Sequence, residues 1–371
     1  MLHAYMTSDP GELFTPLTVR SMTIPNRFAM APMTRQASPG GVPGRDVADY
    51  YARRAAGGVG LIVTEGIRLG AAESAYPDSV PTLVGDDAVT GWRAVTNAVH
   101  SHGAVIAAQL WHQGGERHHA DGVTPVSPSG VGGTGKPRGR ALTADELVDV
   151  AADYATAAAN AKAAGFDAVE LHGAHGYLLD SFLWERTNLR TDAYGGSAVE
   201  RTRFPAEVVA AVRAAVGPDF PIVFRFSQWK GTDYAASIAD DPTELQAILA
   251  PLLDAGVDVL HPSTRRHYAA AFPDLDPERS LAGWTKKVTG APVIAVGSVG
   301  LQTQFRSEKD GEVIKPASVE TLIERFATGE FDVVAIGRAL LADPTWVNRL
   351  RAGTLEGFRG YDARSALAAL N

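Results

Sequence analysis

Apolar residues along this chain gather in short runs, and between the runs they return at every third or fourth position. The runs are Arg27 to Ala31, Gly60 to Gly66, Ala104 to His112, Val169 to Leu171, Pro221 to Ser227, Ala255 to His261, Pro292 to Gly297 and Phe331 to Gly337. Runs of this length, rich in Val, Ile, Ala and Phe, predict buried strands, and the intervening periodicity predicts helices. Helices are expected near residues 45–56, 87–101 and 199–215. Thr143 with Glu146 forms a capping box opening an alanine-rich helix to Ala164, and Asp241-Pro242-Thr243-Glu244 opens another. Ahead of the first run, Leu13 to Arg20 suggests a hairpin.

Eight strands alternating with helices predict an α/β fold, and in this length a closed (β/α)8 TIM barrel is favoured over a doubly wound sheet. An N-terminal hairpin and long excursions in the strand-to-helix loops would complete a single domain over residues 1–371. The phrase Ala164-Gly165-Phe166-Asp167 returns as Ala255-Gly256-Val257-Asp258 and Gly329-Glu330-Phe331-Asp332. Its spacing is that of a β/α unit, not of a solenoid. Helix-to-strand connections are terse and several strand-to-helix connections are long, notably 111–142 and 263–280. That asymmetry puts the working end at the C-terminal face. Gly122 to Arg140, rich in Gly, Pro and Ser, has the length expected of a lid or a disordered segment.

Polar residues at strand exits carry the candidate chemistry. His172, His175 and Tyr177 follow the fourth strand, with Gly173 two residues before His175 and Gly176 directly after it. Two imidazole N–H groups can hold a carbonyl or nitro oxygen, and a phenol that is neutral at pH 7 can deliver a proton. None of the three can donate a hydride, so a reaction of this kind needs a cofactor. Gln109 and Arg225 sit at other exits, and the alternation of Arg225 with Phe224 and Phe226 points it into the barrel mouth. Gly297-Ser298-Val299 and Gly337-Arg338 follow the last two strands, the usual phosphate site of this barrel. A second reading is a metal-dependent barrel hydrolase with Glu170, His172, His175 and His112 as ligands. One His-x-x-His pair is a weak metal signal, and Thr34, Gln109 and Arg225 are not metal-site residues.

Composition narrows the field further. A formal charge of −8 argues against a nucleic-acid partner. The absence of cysteine excludes disulfides, thiolate metal sites and a cysteine nucleophile. No run of apolar residues spans a membrane and no leader precedes the first strand, so a cytoplasmic protein is expected.

Taken in order, Ile24-Pro25-Asn26-Arg27, Pro32-Met33-Thr34-Arg35, Gln109-Leu110-Trp111-His112, His172-Gly173-Ala174-His175-Gly176-Tyr177, Arg190-Thr191-Asp192-Ala193-Tyr194-Gly195-Gly196-Ser197 and Ile336-Gly337-Arg338 resemble the old yellow enzyme family of FMN-dependent ene-reductases over nearly the whole length. The resemblance implies non-covalent FMN, with NADPH or NADH as reductant and an activated alkene as substrate. Pro32, Met33 and Thr34 would lie against the flavin, Thr34 near its N5 and O4 edge with Gly66 beside O4. Gln109, His172 and Arg225 would hold the ring, and Gly297, Ser298, Val299, Gly337 and Arg338 the phosphate. His172 and His175 would bind the substrate oxygen while hydride passes from N5 to the β carbon, and Tyr177 would protonate the α carbon. Tyr76 and Trp111 would line the cavity. No metal is implied, and monomer and homo-oligomer are both left open. The chain departs from the family at Val199-Glu200-Arg201, where Glu-Asn-Arg is usual, and carries Thr34 where some members have cysteine.

Overall fold

The computed structural model describes residues 9–306, 312–368 and 370. Its main sheet holds the eight expected strands: β1 (Phe28–Met30), β2 (Leu61–Arg68), β3 (Val105–Trp111), β4 (Ala168–His175), β5 (Ile222–Lys230), β6 (Val259–Pro262), β7 (Ile294–Val296) and β8 (Val333–Ile336). All pair in parallel, in the order β6-β5-β4-β3-β2-β1-β8-β7. Bridges from Leu260 to Val293 and from Ser263 to Val296 join β6 to β7 and close the ring. The fold is therefore the expected (β/α)8 barrel.

Alternation along each strand divides the core in two. Leu61 and Val63, Ala168, Val223, Val259, Ile294, Val333 and Ala335 face inward and pack together. The alternate residues, among them Ile62, Ile106, Val169, Phe224 and Val334, pack outward under the helices. The hairpin of Leu17–Val19 with Met22–Ile24 plugs the N-terminal end, where Val19, Met22 and Ile24 join the inner cluster. It lies a few residues later than the sequence suggests, because Gly11–Phe14 turn as a 3-10 helix first.

The recurring phrase that ends in aspartate now has a physical reason. The three aspartates stand just before β4, β6 and β8, and each accepts a backbone N–H at the start of a neighbouring strand. Ile106 N donates to Asp167 at 2.8 Å, Ile222 N to Asp258 at 2.9 Å and Val293 N to Asp332 at 2.8 Å. They clip together the end of the barrel opposite the site.

The caps read at Thr143 and Asp241 are in place, whereas Asp343, before Pro344, does not cap the last clear helix, which starts at Trp346 after Thr345. Thr143 and Glu146 close their box at 3.3 and 2.8 Å, and Asp241 accepts from the N–H groups of Thr243 and Glu244 at 2.7 and 2.9 Å. The helix expected at 199–215 is split into Ala198–Arg201 and Arg203–Val216. At the family departure, Glu200 completes a capping box with Ser197, and buried Arg201 donates to Leu183 O at 3.0 Å.

The stretch 122–140 carries a short strand pairing and contacts to the chain just before it. Val126–Ser127 pairs with Arg140–Ala141, Arg117 bridges to Asp121 at 2.6 Å, and Gly133 N donates to Glu116 at 2.9 Å. No described helix is long and apolar enough to cross a membrane.

Candidate active site

At the C-terminal end of the barrel, the inward positions change from apolar to polar. Ala168 is followed on the same face by Glu170 and His172, Ala107 by Gln109, Val223 by Arg225 and Val259 by His261. Register sets Gln109 beside Glu170 and Arg225 between His172 and His261. These groups are almost entirely buried. Gln109 Nε2 donates to Glu170 Oε1 at 2.8 Å, and His261 Nδ1 lies 2.5 Å from Glu170 Oε2. Burial opposes the Glu170 charge, yet His261, Arg225 and Gln109 hold its carboxyl below the usual range. An ionised carboxylate only accepts, so the Gln109 amide must turn its NH2 to Glu170 and leave its oxygen for another partner.

Above this layer stand the two histidines and the tyrosine. The His172 ring lies 5.3 Å from the His175 ring and 4.9 Å from the Tyr177 ring, both edge-on, and stacks on Trp111 at 6.4 Å. Trp111 meets Tyr177 at 5.0 Å. Burial, helped by Arg225, pulls the His172 pKa down to about 3, and the same two causes hold His175 well below its ordinary value. Both imidazoles are therefore neutral at pH 7. Ala174 N donates to His172 Nδ1 at 3.4 Å, which leaves Nε2 as the ring's N–H donor. Burial raises the Tyr177 pKa, partly offset by Arg306, so the phenol keeps its proton.

His175 takes a left-handed backbone, φ 67°, inside a strand longer than its apolar run indicates. Several contacts over-determine that conformation. Its N–H reaches Ser227 Oγ at 2.9 Å, its carbonyl accepts from Gly231 N at 3.0 Å, and its ring stacks on Trp229 at 4.3 Å. Beside it, Lys230 and Asp180 form a fully buried ion pair at 2.6 Å, and Asp180 also accepts from Gly176 N at 2.7 Å. Sequence reasoning missed Trp229, Lys230, Ser263 and His261. Ser227-Gln228-Trp229-Lys230 has the polarity of a loop, although β5 runs through it.

The remaining candidates occupy the other side of the mouth. Glu65 accepts from the N–H groups of Arg35 and Gln36 at 2.8 and 2.9 Å, which fixes the segment just past Thr34; the Thr34 side chain is exposed. A Cβ on Gly66 would lie 2.5 Å from Trp111 Cε3, so this glycine makes room for the indole. Pro32 and Met33 are partly buried, and Met33 Sδ comes within 3.5 Å of where a Cβ on Gly337 would stand. Arg338 Nη2 donates to Ser298 Oγ at 2.7 Å, so the two phosphate-loop candidates are brought together. Val299 is buried, and a Cβ on Gly297 would come 2.6 Å from His267 N. Tyr76 is tied to Gln113 through its backbone at 3.1 Å and its ring faces Arg117; its neighbour Ala75 packs with Trp111 and Tyr177.

The residues weighed as metal ligands are engaged otherwise. Glu170 serves Gln109 and His261, and His112 Nδ1 accepts from Gly114 N at 3.0 Å. Among the described residues no three His, Asp or Glu side chains converge as a ligand set.

The model of the NADH:flavin oxidoreductase / NADH oxidase family matches residues 12–356. The chain belongs to this family, that of old yellow enzyme. It is 37% identical to an NADH oxidase of Thermoanaerobacter brockii, an alignment covering 94% of this chain and 52% of that protein. It thus spans about half the length of that relative. With 12-oxophytodienoate reductase 7 of Oryza sativa subsp. japonica it shares 33% identity, over 91% of this chain and 87% of the reductase. Morphinone reductase in complex with tetrahydroNAD matches with a TM-score of 0.77 at 32% identity, over 96% of this chain and 93% of that one.

Old yellow enzymes carry FMN and draw on NAD(P)H, and the polar layer fits a flavin ring. With its NH2 committed to Glu170, the Gln109 amide keeps its oxygen to accept from a donor such as a ring N–H. Arg225 Nε and His261 Nε2 are buried with no hydrogen-bond partner among the described residues. Buried polar groups without partners are costly, and a polar heterocycle across the barrel mouth answers that need.

Proposed function

We propose that the chain is an FMN-dependent ene-reductase that takes NADPH or NADH as reductant and an α,β-unsaturated carbonyl or nitro compound as substrate. The observation that carries this reading is the neutral His172 imidazole set edge-on against both a second neutral imidazole, His175, and the neutral Tyr177 phenol, above a polar layer suited to a flavin. Relatives named as 12-oxophytodienoate reductase and morphinone reductase support it. Bound there, FMN would supply the redox chemistry, that of hydride transfer between the reduced nicotinamide and the β carbon of the alkene.

The chain's own residues do the rest. His172 and His175 hold the carbonyl or nitro oxygen through N–H donors, on which negative charge accumulates as the β carbon is reduced. Preorganised donors of this kind contribute roughly 3 kcal/mol each to a transition state. Being neutral, the imidazoles stabilise that charge without giving up a proton to water. Tyr177 then delivers a proton to the α carbon, so hydride and proton together add across the double bond. Gln109 and Arg225 hold the ring, Arg225 with positive charge beside it. Pro32, Met33, Thr34 and Gly66 flank the flavin edge, Gly297, Ser298, Val299, Gly337 and Arg338 take the phosphate, and Trp111 and Tyr76 shape the mouth.

Anaerobic stopped-flow mixing tests the proposal. NADPH or NADH should bleach the flavin absorption, and 2-cyclohexenone should restore it. A flavin that is reduced but regains colour only with oxygen contradicts the ene-reductase assignment.

A further inference from the structure

Ser263 follows directly on β6, is 2% exposed, and belongs to none of the motifs above. Its hydroxyl oxygen lies 3.1 Å from Arg225 Nη2 and 2.8 Å from His175 Nε2. A guanidinium only donates, so Ser263 accepts from Arg225. The hydroxyl then has one hydrogen to give, and His175 Nε2 is the partner within reach. A neutral imidazole carries one donor nitrogen and one acceptor nitrogen. The rest of His175 is already fixed by Ser227, Gly231 and the Trp229 stack. Those contacts hold the backbone and the ring plane, and none of them decides which nitrogen bears the proton.

We propose that Ser263 is a positioning residue: it accepts from Arg225, donates to His175 Nε2, and so fixes His175 as the tautomer protonated on Nδ1. The inference rests on the reading of His172 and His175 as an oxygen clamp. It makes the clamp complementary, since the Ala174 N–H fixes His172 as the donor through Nε2 and Ser263 fixes His175 as the donor through Nδ1. It also links the clamp to the cation beside the flavin ring, through one hydroxyl. The backbone carbonyl of Ser263 accepts from Trp229 Nε1 at 3.1 Å, a contact that substitution of the side chain leaves intact.

The test is 15N NMR of histidine-labelled, FMN-loaded protein at pH 7.5, with His175→Gln to assign the His175 signals. The wild type should show one protonated nitrogen at Nδ1 and one unprotonated nitrogen at Nε2. In Ser263→Ala the two shifts should move toward each other as the tautomers mix, and Ser263→Thr, which keeps a hydroxyl, should restore them. Phenol affinity for the oxidised enzyme should fall about fivefold to tenfold in Ser263→Ala, the worth of one hydrogen bond. A wild-type His175 protonated on Nε2, or shifts unchanged in Ser263→Ala, overturns the proposal. Mixed tautomers with undiminished phenol affinity uphold the role of Ser263 and overturn the clamp.

Discussion

At Gly66 the backbone passes so close to Trp111 that a single methyl group would displace the indole. Trp111 in turn carries the His172 stack and the edge of Tyr177. Gly66→Ala should therefore cost about 1–3 kcal/mol through overpacking, lower the melting temperature of the FMN-loaded protein, and weaken phenol binding. An unchanged melting temperature would show that the end of β2 yields without cost. At Tyr177 the expectation is kinetic. Tyr177→Phe should keep its flavin and its rate of reduction by nicotinamide, while the alkene half-reaction slows by roughly a hundredfold or more, as for loss of a general acid. Equal slowing of both halves removes Tyr177 from the acid role. His172, His175 and Tyr177 were legible because polar residues beside glycines at a strand end are unusual. Ser263 and His261 were not, because their partners His175 and Glu170 lie 88 and 91 residues away.

The Lys230–Asp180 pair pins the end of β5 to the short helix Leu178–Leu183 and holds the turn after His175 in place. Breaking a buried pair on one side leaves a buried charge and costs about 3–5 kcal/mol. Lys230→Met should lower stability in urea unfolding by that order, and adding Asp180→Asn should recover part of it, since asparagine still accepts from Gly176. Simple additivity of the two losses contradicts the pairing. This extension of β5 was hidden from the sequence because a parallel strand is defined by its neighbour, and the His175 to Lys230 pairing follows a register shift. Helix caps, by contrast, are local hydrogen bonds spanning three residues, and those at Thr143 and Asp241 were readable.

For the whole molecule, eight short apolar runs and their alternation with helices were enough to specify the barrel, since strands buried on both faces need helices outside and packed side chains within. Its pH response follows from buried histidines. Burial pulls His112 and His172 down to about 3 and His267 to about 4. An unfolded histidine titrates near 6.5. Between that value and the folded pKa the unfolded chain binds more protons, so stability falls as pH falls through this window. Each such histidine adds up to ~1.4 kcal/mol per pH unit to the slope. The urea midpoint should decline from about pH 6.5 downward, before the carboxylates titrate. A midpoint that stays flat to pH 5 contradicts the burial of these rings.

The central claim is a flavin lying beneath two histidines that hold an oxygen. Phenol titration of the purified oxidised protein, followed by visible absorption, tests it most directly in the wild type and in His172→Ala with His175→Ala. Flavin bands are expected in both proteins, and a new long-wavelength charge-transfer band with phenol in the wild type alone. A colourless protein that takes up no FMN, or a phenol titration unchanged by loss of both histidines, contradicts it.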